Sequence, residues 1–230
     1  DSHERFGYVA GDATATYHED KCDLALRQFV FLPPEHVVIF DRVRSHDPGF
    51  EKRWVIHTAE EPTLSGTTLT ADRGEARNDG GRLFCQTLFP DDADLTVVGG
   101  PGNQFVAAGQ NYPIPDPDEV YAPAGTTLLN QWPLLGQWRL EVSPSVARSD
   151  DYFLHLLRAT DQAVESMDSA RPITGDDTRG VGFSSRGTDW EVTFGLDGAP
   201  SGHVLAREDG ETVLEETLSD DVEPQSGLFG

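Results

Sequence analysis

The chain has 230 residues, 40 acidic and 17 basic, for a formal net charge of -23, and 37% are hydrophobic, with 12 Phe and 4 Trp. That hydrophobic content is enough for a core and excludes a disordered chain, while the charge excludes nucleic acid and anionic membrane as partners, because both would be repelled. No apolar run approaches the roughly 20 residues needed to cross a bilayer, so a soluble protein with no membrane partner is expected.

Strand and turn signals follow one another from the start. Leu24 to Leu32, Val37 to Val43, Arg53 to Thr58 and Thr67 to Ala71 are short β-branched or aromatic runs. Leu83 to Phe89, Leu95 to Val98, Gln137 to Val142 and Tyr152 to Ala159 continue the series. Val181 to Ser184, Trp190 to Leu196, His203 to Arg207 and Thr212 to Leu214 close it. Turn chemistry separates them: Pro33-Pro34, Asp47-Pro48-Gly49, Asn78-Asp79-Gly80-Gly81, Gly99-Gly100-Pro101-Gly102, Asp197-Gly198 and Asp209-Gly210. This spacing predicts an all-β fold, an antiparallel sandwich of jelly-roll type with about a dozen strands. All-β sandwiches reach this length undivided, so 1–230 is read as one domain.

Two segments interrupt the rhythm. The stretch from Asn111 to Asn130, with Pro113, Pro115, Pro117, Pro123 and Pro133 just beyond, predicts one long surface loop. Ala159 to Asp177 reads as a helical turn or an acidic loop, and residues 219–230 as a frayed tail. The chain begins at Asp1 and its one methionine is Met167, which reads as a processed or cut chain.

Lys21 and Lys52 are the only lysines, the other cations being arginine. Acid-rich, lysine-poor surfaces suit high salt, where counterions screen self-repulsion, so a halophilic or marine source is expected. Cys22 and Cys85 are too few for a disulfide scaffold and are not spaced as a zinc motif. Two buried thiols and one inter-strand bridge both fit the pattern.

The stretch HVVIFDRVRSHDPGFEKRWVIHT, residues 36–58, poses the sharpest question. Reflection about the Asp47-Pro48-Gly49 turn predicts a hairpin in which Asp41 stands opposite His57. A carboxylate beside an imidazole holds the ring in one tautomer. As a structural pair it locks the hairpin; as a functional one it needs a third metal donor or a cleft. Arg42, Arg44, Lys52 and Arg53 form the densest basic cluster, and arginine binds carboxylate or sulfate in a bidentate manner. Arg42, Arg44 and Arg53 are therefore candidate substrate contacts, against the plainer reading of salt bridges to neighbours such as Glu51 or Asp47. Trp132 is a candidate for stacking on a sugar ring, although aromatics in strands are more often core. His18-Glu19-Asp20-Lys21-Cys22 matches no zinc signature, Gly99-Gly100-Pro101-Gly102 lacks the lysine and helix of a phosphate loop, and Ser184-Ser185 shows no nucleophile elbow.

FVFLPPEHVVIFDRVRSHDPGFEKRWVIHTAEEPTLSG resembles the C-terminal β-sheet domain of heparinase II/III-type polysaccharide lyases. GRLFCQTLFPDDADLTVVGGPGNQF, NYPI and GQWRLEVSPSVARSDDYFLHLLRATD continue the resemblance in order, over roughly Phe29 to Asp161. No single block is diagnostic; the specificity lies in the four occurring in order. The resemblance implies the accessory β-domain of an enzyme that cleaves uronic-acid polysaccharide by β-elimination, secreted or periplasmic, with an N-terminal helical toroid as partner and acidic polysaccharide as substrate. It places the family's catalytic His and Tyr, and the zinc set of some members, before the matched stretch. No catalytic residue and no cofactor is thus expected in this chain, a divalent metal belonging to the complete enzyme, and Asp41 and His57 are read as a hairpin lock. A non-catalytic carbohydrate-binding module and a structural β-sandwich of a secreted protein remain the alternatives.

Overall fold

The computed structural model of the chain describes residues 2–74, 80–112 and 136–219. Its strands are, in chain order, β1 (Ser2–His3), β2 (Phe6–Asp12), β3 (Cys22–Leu32), β4 (His36–Ser45), β5 (Trp54–Thr58) and β6 (Thr63–Ser65). Then come β7 (Thr68–Arg73), β8 (Gly81–Phe89), β9 (Ala93–Gly99), β10 (Val106–Ala107), β11 (Gln110–Asn111) and β12 (Trp138–Pro144). The last are β13 (Asp150–Asp161), β14 (Ala170–Thr174), β15 (Thr178–Ser185), β16 (Thr188–Gly195), β17 (Gly202–Glu208) and β18 (Glu211–Leu218). Every run expected to be a strand overlaps one of these. The chain is an all-β, antiparallel sandwich.

Eight strands form one sheet in the order β1-β2-β3-β4-β13-β8-β7-β6, and β14 to β18 form a five-stranded meander. A smaller sheet has the order β5-β12-β9, and β10 pairs with β11. Side-chain alternation shows how the sheets stack. On β4 and β13, Val38, Phe40, Leu154 and Leu156 join a core that also holds Val181, Val192, Phe194 and Val204 of the five-stranded sheet. Their neighbours Ile39, Phe153 and Leu157 point the other way, into a second core with Trp54, Leu140 and Val142 of the three-stranded sheet. The eight-stranded sheet is therefore a middle layer, and the sandwich is three sheets deep. Burial along the strands agrees: β4 and β13 are buried nearly continuously, whereas β16 alternates because only one face is covered.

The expected hairpin does not form. Both edges of β4 are already paired, to β3 and to β13, so β5 has no edge of β4 to join and pairs with β12 instead. The Asp47-Pro48-Gly49 turn is present, Asp47 Oδ1 accepting from Gly49 N at 2.7 Å, but it carries the chain from the middle sheet to the three-stranded one. Asp41 and His57 consequently lie in different sheets. The segment read as a helical turn or acidic loop also resolves differently: β13 runs on to Asp161, and β14 begins at Ala170.

Glycine is required where the β9 end meets β12. Gly100 has φ +75, and a Cβ there would lie 2.7 Å from the Trp138 ring. The Pro-rich stretch with Trp132, at 113–135, and the tail from 220 onward lie outside the described residues.

Candidate functional site

A cleft of about 740 Å³ opens where β3, β4, the 46–53 crossing and the start of β5 meet. The segment before β3 supplies one rim. Asp12 Oδ1 accepts from Thr14 N at 2.8 Å, starting the 3-10 turn that leads to Tyr17, whose side chain is on the surface at 57% exposure. Lys21 N and Cys22 N both donate to His18 O, which turns the chain into β3 and sets Lys21 at the cleft.

Arg27 and Asp41 stand directly opposite on β3 and β4. Arg27 donates through Nε and Nη2 to Asp41 Oδ1 and Oδ2 at 2.6 and 2.7 Å. Asp41 is nearly enclosed and Arg27 remains 44% exposed, so the carboxylate anchors a guanidinium that still faces the cleft. Burial pushes the Asp41 carboxyl up against the opposing pull of Arg27, and the same hydrogen bonds raise Arg27 further above its ordinary value.

The opposite wall hangs on Lys52. Its buried ammonium lies 3.0 Å from Asp151 Oδ2, donates to Ser45 Oγ at 3.0 Å, and donates to Arg148 O. Arg148 in turn binds Asp151 Oδ1 at 2.5 Å and Asp92 Oδ1 at 2.5 Å, and holds Asp92 below the usual carboxylate range. This run fixes the 46–53 crossing to the start of β13. Lys21 Nζ sits 3.9 Å from the Phe50 ring centroid, a cation–π contact that ties the crossing to β3. Arg53 lies on the same wall, between Glu51 and Glu141 Oε2, the latter at 3.0 Å.

Behind the cleft Trp54 stacks on His155 with ring centroids 3.7 Å apart. His155 is fully buried, shares one hydrogen bond with Thr87 through Nδ1 at 3.2 Å, and has no partner for Nε2 among the described residues. Burial, reinforced by the Arg27 charge, pushes it down to about 3, so the ring is neutral.

The arginines singled out in the sequence do not converge. Arg42 points with Phe40 toward the five-stranded sheet, is 1% exposed, and donates through Nη2 to Gly198 O at 2.7 Å. It cannot contact a substrate. Arg44 shares that side of β4, away from the cleft, and pairs with Asp150 on the surface. Only Arg53 lines the cleft, and Trp132 lies outside the described residues. Asp41 has Arg27 as its partner, and exposed His57 stands opposite Arg139 on β12, lowered by partial burial and by that cation.

Tyr17, Lys21 and Arg27 were not singled out as site residues, since nothing in their spacing places them beside Arg53. Cys22 and Cys85 are free thiols. Burial pushes Cys85 up to about 12, so it is inert. Among the described residues no three His, Cys, Asp or Glu side chains are grouped to hold a metal, and no helix is long and apolar enough to cross a membrane.

No protein-family model matches the chain, and no curated protein matches it. Among solved structures it is similar to heparan sulfate lyase HepC from Pedobacter heparinus, with TM-score 0.52, 11% identity, and coverage of 86% of this chain and 27% of the lyase. A mutant of the same lyase gives TM-score 0.51 at 11% identity, with the same coverage. What they share is a fold. The chain thus spans about a quarter of the length of HepC, and its all-β layers have a counterpart inside a larger polysaccharide-cleaving enzyme.

Proposed function

We propose that this chain is the accessory β-domain of a lyase that cleaves uronic-acid polysaccharide by β-elimination. The observation that carries the reading is the fold likeness to a heparan sulfate lyase over 86% of the chain. The order of sequence blocks from Phe29 to Asp161 points the same way. Elimination requires a base for the proton at C5, an acid for the leaving oxygen and cations that neutralise the uronate carboxylate. The cleft offers cations of that kind in Lys21, Arg27 and Arg53, while no histidine lines it among the described residues. The domain's task in this reading is to complete and stiffen an enzyme whose reacting groups, helical toroid and any metal lie outside these residues, in a secreted or periplasmic setting.

Two experiments test the reading. Assayed alone on uronate polysaccharides, the 230-residue chain is expected to release no unsaturated uronate, and robust turnover would refute an accessory role. Sequencing the reading frame upstream of Asp1 is expected to show a helical catalytic region; an unrelated upstream region would contradict the lyase assignment. The alternative, a free-standing carbohydrate-binding module, is favoured by the cleft itself and separates from the first at that upstream frame.

A further inference from the structure

The chain has two lysines, and both line the same cleft. Four cations, Lys21, Arg27, Lys52 and Arg53, line it with the carboxylates Asp41 and Glu51, and Asp151 and Glu141 pair with Lys52 and Arg53 beside it, in a protein whose formal net charge is -23. Arg27, Lys52 and Arg53 are each balanced by a carboxylate, so the cleft gathers cationic hydrogen-bond donors within an acidic surface without a matching surplus of positive charge. The four cations are not equivalent. Lys52 is enclosed by Ser45, Arg148 and Asp151, so it builds the wall. Lys21 forms no salt bridge among the described residues, and the Nη1 of Arg27 is not used by Asp41. Arg53, paired through Nη2 with Glu51 and through Nη1 with Glu141, retains 38% side-chain exposure on the facing wall.

We infer that the cleft is an anion-selective oligosaccharide site, in which a carboxylate- or sulfate-bearing sugar residue is held between Lys21 and Arg27 on one wall and Arg53 on the other. The inference rests on the acidic-polysaccharide reading above and adds the place and the groups. Tyr17 at the rim favours a sugar over an acidic peptide. A pyranose turns a face of axial C–H groups to a phenol ring while its anionic group reaches a guanidinium edge, whereas the short carboxylate side chains of an acidic peptide have no such C–H face. Asp41 acts as a positioning residue: by taking two donors of Arg27 it fixes the plane of the guanidinium. Because Lys21 and Arg27 are rooted in the middle sheet and Arg53 at the three-stranded one, a bound anion braces two layers, and ligand raises the melting temperature.

Calorimetric titration of the 230-residue chain tests this with an unsulfated polyuronate tetrasaccharide, the same tetrasaccharide after carboxyl reduction, a sulfated heparin-type tetrasaccharide and a polyglutamate peptide. At least one acidic tetrasaccharide is expected to bind, and which one identifies the carboxylate or the sulfate as the recognised group. The carboxyl-reduced sugar is expected to bind about tenfold more weakly than its acidic parent, or not at all if sulfate is the group recognised. Arg27→Gln and Lys21→Gln should each weaken binding by about tenfold, while Arg44→Gln, on the other side of β4, leaves it unchanged. Asp41→Asn should weaken binding less than Arg27→Gln and flatten the preference for the charged sugar. Lys21 has no buried partner to orphan, so its variant keeps the test decisive if Asp41→Asn fails to fold. Binding indifferent to Lys21, Arg27 and Arg53, or weakened equally by Arg44→Gln, overturns the site but leaves the lyase reading standing. Polyglutamate binding as tightly as the sugars overturns the choice of ligand. Failure to bind any acidic glycan removes both the site and the glycan partner.

Discussion

Asp151 is the most enclosed charge beside the cleft, with a fully buried side chain that meets Lys52 and Arg148 together. Removing one cation from a buried pair leaves the other charge under-compensated, so Lys52→Met is expected to cost about 3 kcal/mol in urea unfolding, near the low end for such losses because Arg148 remains. Arg44→Gln breaks a pair that is half exposed on both sides and should cost less than about 1 kcal/mol. His155 provides a pH test. Its folded pKa is depressed from 6.5 to about 3, so below 6.5 the unfolded chain takes up a proton that the folded chain refuses. The stability it contributes is full above 6.5 and is lost as pH falls toward 3. His155→Gln should therefore reduce the acid slope, by a difference that approaches about 1.4 kcal/mol per pH unit once free imidazole is charged. The comparison is clearest between pH 6.5 and about 5, above the range where carboxylates of the unfolded chain titrate. An unchanged slope would show that His155 is not buried neutral.

Elements divide by how much of their environment is local. Phe194 of β16 stacks on Phe40 of β4 at 4.9 Å across the first core, and Phe194→Ala is expected to cost about 3–5 kcal/mol in chemical unfolding, whereas Val9→Ala at an exposed position of β2 stays within about 0.5 kcal/mol. Strands such as β16 were legible because a half-buried strand writes its one covered face as alternation. β2 was missed because Gly7 and Gly11 dilute its pattern, and β14 because Arg171 and Pro172 stand among its five residues. The hairpin error is of another kind. The apolar runs flanking Asp47-Pro48-Gly49 report a turn between strands, but not whether they pair with each other. That choice was made by β13, more than a hundred residues downstream, which occupies the edge of β4 that β5 would have needed. Arg53 could be found from its basic neighbours; Arg27 and Lys21 could not, because the cleft is assembled from segments whose meeting depends on the three-layer stacking.

Taken whole, the molecule opposes two fields. A formal charge of -23 repels an acidic glycan at long range, while the inferred site would attract it at contact through Lys21 and the free edge of Arg27. Screening lengths fall from about 30 Å at 0.01 M salt to about 8 Å at 0.15 M, which removes the first effect sooner than the second. Affinity for an acidic tetrasaccharide is thus expected to hold or rise across that range and to decline only toward about 1 M. A monotonic fall from the lowest salt would mean that no such opposition exists. The melting temperature of the free chain should rise over the same range as self-repulsion is screened. The central claim, that the basic cleft is where this domain meets an acidic sugar, has a direct probe in its two lysines. An NMR spectrum of selectively labelled lysine side chains contains only the signals of Lys21 and Lys52, both at the cleft. Titration with an acidic tetrasaccharide should shift Lys21 saturably and enclosed Lys52 less. Saturable binding that leaves the Lys21 signal in place would contradict the claim.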